Sequence, residues 1–229
     1  MRLLLTNDDG IEAPGLRLLA EVAREFGEVI VVAPDGVRSG CGHQVNNERP
    51  IQLTEVRPSE FACDGTPADC TRIGLRHLAD KVDWVLSGVN DGGNLGVDVY
   101  MSGTVAAVRE SVLLGTPGIA FSQYVGKKNS VDWPSRATLL RRVLARLLEN
   151  SPPETGFWNV NFPIWEASHP EPSIVDCGLD INRHDVRFEP LDGRLHYRGV
   201  YRERPRTPGH DVDVCFGGAI ALTKVPILG

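Results

Sequence analysis

The feature that most constrains this chain is a break near its start, where Leu3, Leu4 and Leu5 give way at once to Asn7, Asp8, Asp9 and Gly10. A short apolar run ended by polar residues is the pattern of a buried parallel strand that delivers the chain to a polar edge. Two adjacent carboxylates at such an edge repel each other, and both stay ionised only where a cation compensates them. Mg, Mn or Ca would serve, because hard divalent ions prefer carboxylate, carbonyl and hydroxyl oxygens. A second reading stands beside it: an Asx turn, with Asn7 and Asp8 bonded back to their own backbone and Gly10 at positive φ.

The following stretch supplies the topology. Pro14 and Gly15 open a helix in which Leu16, Leu19, Ala20, Ala23 and Phe26 recur at helical spacing, Gly27 ends it, and residues 29–33 form a second apolar strand. Strand, helix and strand in so short a span make a βαβ unit, with parallel strands and a right-handed crossover. Ligands of open α/β sheets collect beyond the carboxyl ends of the strands, so Asp8, Asp9 and the loop after Pro34 share one edge. In that loop Ser39 lies among glycines, and Arg38 and His43 can meet an anion, although a lone His is more often a solvated or core-satisfied imidazole.

Further along, residues 51–56 and 60–63 read as a short antiparallel pair standing apart from the doubly wound pattern. Thr66 caps a helix with Pro67 in its first turn and Cys70, Ile73, Gly74 and His77 at helical spacing. A strand over residues 84–86 leads into a long loop, residues 87–96, dense in Asn and Gly and costly to order unless something holds it. There Asn90 offers an uncharged oxygen to complete a carboxylate metal site; the other reading is a solvent loop. Ser102, Gly103 and Thr104 open a helix running to Gly115, and its amino terminus with two hydroxyls suits a phosphate or is an ordinary cap. Neither a Walker loop nor a dinucleotide G-x-G-x-x-G follows the first strand.

The second half continues with a strand at 118–122, a leucine-striped helix at 134–149 and a strand at 157–162, with Lys127 and Lys128 read as solvated. Beyond Pro163 short strands or hairpins are expected at 173–177, 187–189 and 195–202. His210, Asp211 and Asp213 read as a capped turn ahead of a last strand at 219–224, in preference to a metal site. The expected fold is α/β: a three-layer, Rossmann-like, doubly wound and mostly parallel sheet with a small β-rich C-terminal extension. Residues 1–229 form one domain, with a core over 1–163 and a hairpin-rich extension plus last core strand over 164–229.

Composition narrows the partners. A net charge of −6 gives no electrostatic case for duplex nucleic acid. No segment approaches the roughly twenty apolar residues that span a bilayer, so no membrane partner is expected. The run after Arg2 is too short for a signal peptide, and a cytoplasmic location is expected. Five cysteines without C-x-x-C spacing read as reduced thiols.

Together the loops resemble the SurE family (survival protein E, metal-dependent 5'-nucleotidases). The match comprises T-N-D-D-G at 6–10, A-P-G-L at 13–16, V-A-P-D and R-S-G within 32–40, G-T-P-A-D-C at 65–70, S-G-V-N at 87–90, N-L-G at 94–96 and S-G-T-V-A-A at 102–107. Several motifs in one order are far more specific than any one of them. Residues 210–226 are a weaker match to the family's last core strand. The resemblance implies that Asp8, Asp9, Ser39 and Asn90 carry one divalent metal per subunit, with Asn94, Ser102, Gly103 and Thr104 around the phosphate. It also implies a homodimer or homotetramer. Two departures stand out: Asp91 occupies a position usually held by a small residue, and the chain stops at Gly229, short of the family's usual subunit-exchanging C-terminal segment.

The expected reaction is hydrolysis of nucleoside 5'-monophosphates, with exopolyphosphatase or broader phosphatase activity left open. Asp8 is the candidate to position or deprotonate water while also ligating, Asp9 is the steadier ligand, and His43 is the candidate general acid. Two alternatives are a phosphoaspartate phosphatase with Asp8 as nucleophile and a receiver-like signalling domain. The first lacks its D-x-D spacing, since position 10 is Gly, and the second lacks an acceptor Asp at the end of its third strand.

Overall fold

The computed structural model describes residues 1–126 and 130–227; Lys127 and Lys128 lie outside the described residues. Strand β1 (Arg2–Thr6) is the centre from which the sheet grows on both sides. On one side it pairs in parallel with β2 (Glu28–Pro34), reached through helix α1 (Pro14–Ala23). Beyond β2 come β4 (Glu60–Cys63), parallel, and β3 (Leu53–Arg57), antiparallel to β4. The β3–β4 pair is therefore the edge of the main sheet and not a separate excursion. What joins it is the register of β4 on β2, from Val31 opposite Glu60 to Pro34 opposite Cys63.

On the other side β1 pairs with β5 (Trp84–Asp91), then come β6 (Gly118–Gln123) and β7 (Gly156–Phe162), all parallel. The strand expected over 84–86 thus continues through the first half of the expected loop, to Asp91. Asn90 and Asp91 pair with Ser122 and Gln123 of β6, across a register break that follows Ser87. The final strand β11 (Ile220–Pro226) runs antiparallel to β7 and carries β8 (Ile174–Cys177) as the far edge. Among the described strands only β9 (Phe188–Leu191) and β10 (Arg194–Tyr197) stand outside, as an antiparallel hairpin.

Two helical layers flank this sheet. Helix α1 and the leucine-striped α4 (Trp133–Leu148) cover one face, burying Leu3, Leu5, Val31, Leu86, Phe121 and Val160 against Leu16, Leu19, Leu140 and Leu144. On the other face α2 (Pro67–Ile73) and α3 (Gly103–Leu113) pack on each other, over Leu4, Val32 and Val85 and over Ala120 and Phe157 respectively. Successive strand residues point to opposite faces, so Leu4 falls in a different cluster from Leu3 and Leu5. Thr66 caps α2 as expected, in a full capping box with Asp69, but α2 ends at Ile73 and a π-helical turn over Gly74–Leu78 follows. The segment before β11 is a short helix, α5 (Asp211–Phe216), not merely a turn. No helix among the described residues is long and apolar enough to cross a membrane.

Candidate active site

At the carboxyl end of β1 the two readings of Asn7-Asp8-Asp9-Gly10 are realised by different residues. Asn7 makes the turn: its Nδ2 donates to the Gly10 carbonyl at 2.9 Å, its Oδ1 accepts from the Gly10 N–H at 3.1 Å, and Gly10 sits at φ 102°. That leaves both carboxylates free of the turn. The Asp8 carbonyl accepts from Arg38 N at 2.7 Å and draws in the loop after β2. Asp8 Oδ1 accepts from the Thr104 hydroxyl, and Asp9 Oδ2 accepts from the Asp91 N–H at 3.1 Å.

Helix α3 aims its amino terminus at this point. A Cβ on Gly103 would stand 2.9 Å from Asp8 Cβ and Oδ2, so only glycine lets the first helical residue approach so closely. Ser102 is the N-cap, accepting from Val105 N at 3.1 Å, and also lines the cleft.

The resulting cleft, of about 310 Å³, brings together Asp8, Asp9, Ser39, Asn90, Asn94, Ser102 and Gly103. Asn90 spends its Nδ2 on the Gly92 carbonyl at 2.7 Å, which leaves Oδ1 to the cleft as an acceptor. Asn94 is buried and pinned on β6 and β7: its N–H donates to Asn161 Oδ1 at 2.9 Å and its Nδ2 to Ser122 Oγ at 2.8 Å. Its carbonyl accepts from Asn159 and Asn161.

Two expected site residues do not line the cleft. Thr104 is fully buried beneath Asp8, so its hydroxyl serves the carboxylate. His43 is tied elsewhere, Nε2 to Glu110 Oε2 at 2.8 Å and Nδ1 to an Arg109 nitrogen at 3.3 Å, so it stands apart from the reacting centre. His210, Asp211 and Asp213 also lie apart. Asp211 is a buried brace that accepts from the N–H groups of Gly96 at 2.7 Å and Asp180 at 2.8 Å.

Sequence reasoning missed Asp98, Met101 and Tyr201 in the cleft wall and the Asn159–Asn161 support beneath it. The asparagines carried a usable signal, because two amides alternate with Trp158, Val160 and Phe162 in an otherwise apolar central strand. Tyr201 carried none, being far away in sequence.

The electrostatics are one-sided. No Lys, Arg or His lines the cleft among the described residues. Burial pushes the Asp8 carboxyl up, against the opposing Thr104 hydroxyl. Asp9 is pushed up to about 6, first by burial and then by the charge of Asp8, with Asp91 adding to it. Asp91 is raised by burial as well.

A mostly parallel open sheet, an acid-lined cleft at its carboxyl edge and a helix amino terminus facing it define a Rossmann-like α/β protein with its candidate site at that edge. The family model described as survival protein SurE matches residues 3–183. The chain belongs to that family. It is 44% identical over 227 residues to a putative 5'-nucleotidase of Synechocystis sp., covering 99% of this chain and 100% of the relative. It is 38% identical over 238 residues to the 5'-nucleotidase SurE of Paramagnetospirillum magneticum, covering 98% and 89%. The crystal structure of the SurE protein from Aquifex aeolicus superposes with a TM-score of 0.88 at 31% identity, covering 99% of this chain and 93% of that one.

Proposed function

We propose that this chain is a divalent-metal-dependent 5'-nucleotidase, releasing phosphate from nucleoside 5'-monophosphates. The observation that carries the reading is the pair Asp8 and Asp9, held at one edge with Ser39 and Asn90 and compensated, among the described residues, by no basic side chain of the cleft. An all-oxygen donor set with excess negative charge fits a hard cation, and Asp8, Asp9, Ser39 and Asn90 would hold it. Such a cation supplies polarisation of a phosphoryl oxygen and acidification of water. The rest falls to the chain's own groups. The Ser102 hydroxyl, the Gly103 N–H at the start of α3 and the second Nδ2 hydrogen of Asn94 seat the phosphate. Asp8, its Oδ1 fixed by Thr104, presents Oδ2 to take a proton from the attacking water.

The test is phosphate release from nucleoside 5'- and 3'-monophosphates with Mg or Mn and then with chelator, for wild type, Asp8→Asn and Asp9→Asn. Preference for the 5'-ester, and its loss in chelator and in both variants, is expected. Full activity in chelator would overturn the reading.

A further inference from the structure

The segment that carries the proposed phosphate seat, residues 93–102, is not held by the sheet alone. Residues of the far C-terminal region grip it at several points. Asp211 takes the Gly96 N–H at 2.7 Å. Tyr201 OH lies 2.8 Å from Asp98 Oδ2 and 3.3 Å from the Gly93 carbonyl. Arg204 pairs with Asp98 Oδ2 at 2.5 Å and reaches the Leu95 carbonyl at 3.4 Å, while His184 Nε2 stands 3.3 Å from Asp98 Oδ1.

Asp98 is the hub of these contacts. Its side chain is 13% exposed and that of Arg204 is 11%, so this is a largely desolvated ion pair unlike the exposed pairs of the surface. On its backbone side the Asp98 carbonyl accepts from the N–H groups of Met101 at 2.9 Å and Ser102 at 3.1 Å. The same residue therefore fixes the extension with its carboxylate and fixes the cap of α3 with its carbonyl.

The structure assigns Asp98 as a positioning residue for phosphate binding, one that transmits the anchorage of Tyr201 and Arg204 to Ser102 and Gly103. The assignment rests on the proposed phosphate seat. Chemically it works because a helix amino terminus and a hydroxyl bind phosphate through direction, and a loosened turn spreads those directions. Asp98 forms part of the cleft wall, but its carboxylate is spent on Tyr201 and Arg204, and it holds neither metal nor phosphate in this scheme. Its effect falls on the affinity for the phosphoryl group, shared by substrate and product, ahead of the chemical step.

The test uses the full-length, Mg-loaded protein with Tyr201→Phe, Asp98→Asn, Arg204→Lys and Arg204→Gln. Tyr201→Phe removes one hydrogen bond and no charge, and is expected to raise KM and the inhibition constant of inorganic phosphate about fivefold with kcat nearly unchanged. Asp98→Asn is expected to do the same more strongly, and Arg204→Lys to recover part of what Arg204→Gln loses. Arg198→Gln, which breaks an exposed pair with Glu189 on the β9–β10 hairpin, is the control and leaves both constants alone. The thermal shift caused by inorganic phosphate reads the seat without turnover. A wild type that shows this shift but no nucleotidase activity fails the proposed function and leaves the positioning assignment testable. Wild-type KM, phosphate inhibition and phosphate shift in both Tyr201→Phe and Asp98→Asn would overturn the assignment, as would a fall in kcat alone.

Discussion

Two clusters built on buried carboxylates, Glu60 with its arginines and Asp8 with the half-buried Asp9, lie on the same sheet and are treated in opposite ways. Glu60 on β4 is met by three guanidinium groups: Arg17 at 2.6 Å, Arg24 at 2.7 Å and Arg57 at 2.5 Å. Arg17 leads in holding the Glu60 carboxyl down at about 2. Asp8 and Asp9 on the β1 edge meet one hydroxyl, a few N–H groups and one another, and both are pushed up. Burial alone does not distinguish them; compensation does. A carboxylate surrounded by permanent cations is part of the frame, whereas one left short of positive charge lowers stability in return for a place where a cation can act.

The sharpest way to break that contrast is to neutralise one member of each cluster. Asp9→Asn should lower kcat/KM about a thousandfold, the scale of losing an electrostatic catalytic group. The same change should leave the metal-free protein as stable as wild type or more so, because it relieves repulsion from Asp8 and Asp91. Activity and thermal unfolding falling together would show that Asp9 is structural after all. Glu60→Gln should do the reverse, costing about 3 kcal/mol by stranding arginines around a weakened acceptor while activity below the transition is kept.

The Glu60 result also has a definite pH dependence. Its folded-state value near 2 lies below its ordinary 4.5, so its contribution is complete above pH 4.5 and disappears as the pH falls toward 2. Urea unfolding of wild type and Glu60→Gln should therefore differ most at neutral pH and converge in acid. A constant difference down to pH 2 would remove the ionic explanation. On the other cluster, divalent metal at about a hundred times its dissociation constant should stabilise wild type by about 2.7 kcal/mol and Asp9→Asn by much less.

How far these clusters were legible follows from their physics. The β1 edge was readable because the chain switches character from Leu5 to Asn7, just where the strand ends, and the α3 cap because Ser102 and Gly103 mark a helix start locally. The leucines of α4 were equally plain, since Leu139, Leu140, Val143, Leu144 and Leu147 are all buried at helical spacing. Asn90 was found as a candidate ligand but misplaced in a loop: Gly88, Gly92 and Gly93 look like loop residues, and the pairing with Ser122 that makes a strand of Asn90 is distant in sequence. Glu60 gave no warning, because its partners Arg17, Arg24 and Arg57 come from α1, its end and β3. His43 was drawn toward the site by its place in the loop after β2, yet Glu110 and Arg109 on α3 hold it away.

The finest test of the contrast concerns the one strong donor that the acidic cluster does have. Thr104 is fully buried and gives its hydroxyl to Asp8 Oδ1, so it fixes one oxygen of the carboxylate and orients the other. Thr104→Val keeps shape and volume while deleting that hydrogen bond, and groups that orient a metal-ligating carboxylate are typically worth about 10- to 100-fold in metal affinity or activity. We expect the low end of that range, about tenfold in metal affinity, because the backbone N–H groups of Thr104 and of Asp8 itself still serve the carboxylate. Thr104→Ser restores the hydroxyl and should recover most of the loss, with saturating metal narrowing the remaining gap in kcat. Equal metal affinity in wild type and Thr104→Val would mean that Asp8 is oriented by the backbone of α3 alone. The compensation drawn between the two clusters would then reduce to the presence or absence of arginine.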